Sequence, residues 1–77
     1  MDIAKLVRMA NQIGTFFQAM PDHAEALEGI ALHLQKFWEP RMRRELLGAL
    51  EAGHEETAAL LPIVREAVQA RRAALDC

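Results

Sequence analysis

Apolar residues recur along this chain at the period of an α-helix, and three prolines, Pro21, Pro40 and Pro62, cut the pattern into four segments. Proline has no N–H and pushes its predecessor out of the α region, so helices begin at it readily and run through it poorly. The spacing predicts an all-α fold, a small bundle of three to four short helices over about 2–18, 23–38, 40–51 and 58–75, in a single helical domain over 1–77. A chain of 77 residues supports one domain at most, and domains of this size bury a modest share of their surface. Its residues are 52% hydrophobic and 26% charged, a surplus of apolar side chains for so small an interior. Such a surplus points to oligomerisation or to a partner.

The first segment places Ile3, Leu6, Val7, Ala10, Ile13, Gly14 and Phe17 in one arc, with Lys5, Arg8, Asn11, Gln12 and Thr15 outside it. Asp2 is the expected N-cap. Met9 and Phe16 widen the apolar face, either as the edge of the core or as part of a partner surface. Asp22 and Glu25 have capping-box spacing and start the second helix, whose apolar face holds Ala26, Leu27, Ile30, Ala31, Leu34, Phe37 and Trp38. Gly29 and Leu32 fall on its polar side. They are a tolerated glycine and an exposed leucine, or they mark a backbone passing over Gly29 and burying Leu32. His33, at the edge of the apolar face, is expected to be a hydrogen-bonded boundary residue.

The stretch Phe37-Trp38-Glu39-Pro40-Arg41-Met42-Arg43-Arg44 is the densest in the chain, with the sole Trp, a helix-starting Pro and three Arg. The third helix runs from Pro40 to about Glu51, with Gly53 as its stop. Its apolar arc contains Met42, Leu46, Leu47 and Leu50, with Arg43 among them and Arg41 and Arg44 opposite. An Arg facing the core must find a carboxylate, carbonyls or a ring, and Glu39 is the nearest carboxylate. Two readings stay open. The three Arg are solvated and their stems cover Trp38 or Phe37, or Trp and Arg anchor the chain to another protein. The partner-contact set is Trp38, Pro40, Arg41, Arg43, Arg44, Phe37, Met9, Phe16 and Leu32. Ala52 to Thr57 reads as an acidic loop, and the last helix starts at Pro62 or kinks there after an earlier start, the former being favoured.

The inventory of reactive groups argues against catalysis. There is no Ser and no Tyr, hydroxyls come from Thr15 and Thr57 alone, and the single thiol is the terminal Cys77. A nucleophile, a base within reach and an orienting group do not assemble from this set. His23, His33, His54 and Cys77 lack the short paired spacings of zinc sites, and the four glycines are too scattered for a phosphate-binding loop. Neither a metal nor a cofactor is expected. The net charge of −2 gives no general attraction to nucleic acid or to an anionic membrane. One Cys fits a reducing compartment, and neither a signal peptide nor a run of about 20 apolar residues is present, so a soluble cytoplasmic chain is expected.

The opening Asp2-Ile3-Ala4-Lys5-Leu6-Val7-Arg8-Met9-Ala10-Asn11-Gln12-Ile13-Gly14, then Phe16-Phe17, Gly29-Ile30-Ala31-Leu32-His33-Leu34 and the Trp-x-Pro-Arg-Met-Arg string from Trp38 to Arg43, resembles the delta subunit of cytoplasmic NAD-dependent, molybdenum-containing formate dehydrogenases. The likeness is strong over about the first 45 residues and weakens beyond Gly53. It implies a non-catalytic subunit of a complex whose other subunits carry a molybdenum bis-pterin site, iron–sulfur clusters, flavin mononucleotide and the NAD site. It further implies binding to the large catalytic subunit, with help in cofactor insertion or in stability of the mature enzyme. The residues alone leave two other classes open, a small helical nucleic-acid-binding module and a self-associating one. An isolated chain of this kind would form a homodimer through the face meant for its partner.

Overall fold

A computed structural model describes residues 2–76, and the expectation placed on Cys77 lies outside the described residues. The first helix, α1, is Ile3–Phe17, and the Asp2 carboxylate caps it by accepting the Ala4 N–H at 3.2 Å. Helix α2, His23–Phe37, is capped by Asp22, which accepts the Glu25 N–H at 3.1 Å. Helix α3, Pro40–Glu51, begins with proline at its first position, where the missing N–H costs nothing. It stops at Gly53, whose φ of +69° suits glycine. Gly53 N–H donates to Leu50 at 3.2 Å and His54 N–H to Ala49 at 2.9 Å, the paired bonds of a Schellman ending.

A 3₁₀ turn, Glu55–Ala59, begins inside the expected acidic loop and runs past its end at Thr57, and the fourth helix, α4, starts at Pro62 and covers Pro62–Ala70. The expected range of 58–75 therefore starts about four residues early, because the 3₁₀ turn and the extended Leu60 and Leu61 occupy its first part. It is also divided. Arg71 leaves helical geometry (φ −115°, ψ 29°), and a short α5, Arg72–Leu75, follows. Arg71 pairs with Glu28 on α2 at 2.8 Å and Arg72 pairs with Glu51 on α3, so the two sides of the break are tied to different helices.

The core takes Leu6, Val7 and Ala10 from α1, Ile30 and Leu34 from α2, and Leu46 and Leu47 from α3. Leu60, Val64, Ala67, Val68 and Leu75 close it from the C-terminal third. Two glycines let helices approach closely. A β-carbon at Gly14 would overlap Val64 Cγ2, and one at Gly29 would lie 2.5 Å from the Phe17 ring. Phe17 thus occupies the space over Gly29, while Leu32 stays 45% exposed. Asn11, outside the apolar arc, fastens the 3₁₀ segment to α1. Its amide donates to Ala59 O and accepts from Leu61 N–H, both at 2.9 Å. Arg65 adds a bond to Thr57 O at 2.7 Å from the other side.

Candidate functional site

Helices α1 and α2 run antiparallel, since Phe17 lies over Gly29 while Met9 shares a groove with Trp38. That groove has a volume of about 490 Å³ and is lined by Met9, Gln12, Ile13, Phe16, Phe17, His33 and Trp38. A neighbouring hollow of about 270 Å³ shares Phe17 and His33 with it and adds Gly29, Leu32, Lys36 and Phe37. The side chains on this face form an aromatic row. Phe16 meets Phe17 edge-on at 5.0 Å between centroids, Phe17 meets His33 at 6.4 Å, and His33 meets Phe37 at 4.7 Å. Both ends face solvent, Phe16 at 72% and Phe37 at 71% exposure. Two phenylalanines this bare on one face of a small chain make a patch of the kind that contacts other molecules.

The predicted contact residues divide by position. Met9, Phe16 and Trp38 line the groove, and Leu32 and Phe37 line the hollow beside it. Pro40, Arg41 and Arg44 are exposed on α3, just past the corner at Glu39. Trp38 and Arg43 are inside, at 7% and 8% exposure. Trp38 ends α2, its N–H bonded to Leu34 O at 3.0 Å, and its ring belongs to the core while one edge floors the groove. Arg43 Nη1 donates to Gln35 O at 2.6 Å. Gln35 is in the last turn of α2, where carbonyls lack helical partners and the dipole is negative, so the guanidinium caps that helix from α3. The Arg facing the core thus meets a carbonyl, one of the partner types its position requires. Arg41 pairs with Glu45 at 3.9 Å on the surface.

Helical phase placed Phe37 with the core, yet it is exposed: the chain turns at Trp38, and α3 packs on the side of the last turn of α2 that holds Leu34 and Gln35 O. His33, expected as a boundary residue, sits between two rings. Gln12, Ile13, Phe17 and His33 were not among the expected contact residues. Their signal in the sequence is the i, i+4 pair His33–Phe37 and the vicinal Phe16–Phe17. Among the described residues no group of three or more His, Cys, Asp or Glu side chains is placed to hold a metal ion. No helix among them is long and apolar enough to cross a membrane.

A family model described as "NADH-dependant formate dehydrogenase delta subunit FdsD" matches residues 5–68. The chain belongs to this delta-subunit family. The match begins in α1 and ends in α4, so it takes in both walls of the groove, the corner at Pro40, the Gly53 stop and the 3₁₀ turn. It extends well past Gly53, where the resemblance was expected to weaken. No curated protein and no solved structure matches the chain.

Proposed function

We propose that this delta-family chain is a non-catalytic accessory subunit of a cytoplasmic NAD-dependent formate dehydrogenase. It binds the large molybdenum-containing subunit and assists cofactor insertion or the stability of the mature enzyme. The observation that carries this reading is the family match over residues 5–68. An exposed aromatic row on the α1–α2 face supports it, since a permanently bound subunit has a reason to keep Phe16 and Phe37 bare.

In this reading the contact residues have two duties. Phe16, Phe37, Leu32 and Met9 meet the partner directly, and Pro40, Arg41 and Arg44 extend the contact around the corner onto α3. Trp38 and Arg43 hold the surface in shape from beneath, Trp38 as a floor and Arg43 through its bond to the end of α2. The chain contributes no reacting group and no cofactor ligand. The molybdenum chemistry belongs to the partner.

The test is to delete the chain from cells making the enzyme and to measure formate oxidation, molybdenum content and thermal inactivation, with the wild-type chain restored as the control. Loss of molybdenum points to insertion, and faster inactivation at full metal loading points to stabilisation of the mature enzyme. Unchanged activity, metal content and stability would overturn the assembly role.

A further inference from the structure

We infer that the α1–α2 groove receives an amphipathic helix of the partner polypeptide, seated by two or three large apolar side chains and carrying a carboxylate at the edge that meets Lys36. The identity of that partner as the large subunit rests on the reading above. The chemistry of the segment is drawn from the groove itself.

Length and lining set the occupant's form. On the α1 wall Met9, Ile13 and Phe16 follow one another at i, i+4 and i+7, a ridge of about 10 Å at about 1.5 Å rise per residue. The α2 wall answers with His33 and Phe37 at i, i+4. Two helical turns of a partner match that span, and a helix laid into a groove presents anchors at i, i+3 or i+4, and i+7. Strand addition is poorly served, because both walls are helices whose backbone groups are already bonded.

Charge narrows the chemistry further. The groove and its extension are lined by one ammonium, Lys36, and one imidazole, His33, with no carboxylate, in a chain that has 11 acidic and 9 basic residues. The ion pairs of Glu28, Glu51 and Glu66 use basic partners on other faces, at Arg71, Arg72 and His23. Lys36 has no carboxylate partner among the described residues, and exposed Arg44 stands beyond the corner on α3. An acidic edge on the occupant complements this face. A second copy fits less well. A two-fold contact would bring the same patch against itself, with a lysine and no carboxylate on either lining.

The experiment uses the full chain bound to the large subunit, with Phe16→benzoylphenylalanine and Phe37→benzoylphenylalanine as photo-crosslinking variants. Gln69→benzoylphenylalanine is the control, since Gln69 is exposed on α4 in a different hollow, beside Glu51 and Arg72. Mass spectrometry is expected to find positions 16 and 37 joined to one contiguous segment of the large subunit. That segment should have apolar residues at helical spacing and at least one Asp or Glu, and position 69 should not capture it. Capture of a second copy, of an extended proline-rich segment, or of a segment without an acid would overturn the inference. So would co-purification with no capture at 16 or 37, and there the large-subunit reading would survive. Failure of the wild-type chain to co-purify would overturn both. As a second measurement, Lys36→Glu is expected to weaken binding about tenfold at low salt and less as salt rises, because the side chain is exposed and screened. Equal affinity at every salt concentration would refute the acidic edge.

Discussion

Replacing Phe37 by alanine separates a contact surface from a packing residue, because its ring is mostly bare. An aromatic side chain can bury about 200 Å², and with 71% of Phe37 exposed about 140 Å² of it is available to a partner. At about 25 cal/mol per Å² its full burial contributes about 3.5 kcal/mol, which corresponds to about 300-fold in Kd. The part already buried, about 60 Å² against His33 and its neighbours, contributes about 1.5 kcal/mol to folding by the same measure. Alanine returns a few tenths of that through its higher helix propensity. Phe37→Ala is therefore expected to lower the chain's own stability by about 1 kcal/mol, a fall of about 4–8 °C in Tm. Binding to the large subunit should weaken by about two orders of magnitude, the hot-spot range. The assay pairs urea unfolding of the isolated variant, followed by helical circular dichroism, with a titration against the large subunit. Binding unchanged while stability drops would show that nothing covers this ring, and the contact surface would have to lie elsewhere.

Further substitutions test the packing and hydrogen bonds beneath that surface. Gly14→Ala and Gly48→Ala make the same change inside helices, but a β-carbon meets Val64 at the first site and open space at the second. Gly48→Ala should raise stability by about 0.5–1 kcal/mol, and Gly14→Ala should lower it by about 1–2 kcal/mol once overpacking outweighs propensity. Equal urea midpoints would place α4 away from Gly14. Arg43→Ala removes a charged donor from the end of α2 and should destabilise the isolated chain by about 1.5–3 kcal/mol, with Arg43→Lys recovering only part. A melting curve identical to wild type would mean the bond to Gln35 is not formed in solution. Asn11→Ala removes the hydrogen bonds to Ala59 and Leu61 and should cost about 1–3 kcal/mol. Hydrogen exchange should speed up first at Leu61, whose N–H loses its acceptor.

What the sequence conveyed followed from local rules. Pro40 and Pro62 at first helical positions, Asp2 and Asp22 as caps and Gly53 at positive φ are properties of a residue and its immediate neighbours, so each could be placed by type and spacing. Helical phase also put Arg43 inside and Arg41 and Arg44 outside. Phase gives a direction and says nothing about what lies there. Phe37 shares the arc of Leu34, yet it is exposed while Leu34 is buried. Arg43 points inward, and its carbonyl partner eight residues back depends on how sharply the chain turns at Glu39. Phase put Asn11 outside the apolar arc and could not show its partners, which are 48 and 50 positions away. The break at Arg71 has no proline or glycine to announce it and coincides with ion pairs to two separate helices.

The proposed role requires this delta-family chain to be held by the large formate dehydrogenase subunit. Co-expressing a tagged wild-type chain with that subunit and measuring co-elution on size exclusion at physiological salt tests it most directly. The two are expected to elute together, and the Phe16→Ala, Phe37→Ala double variant is expected to elute as a free, folded chain. A wild-type chain that elutes alone, folded and well away from the large subunit, would contradict it.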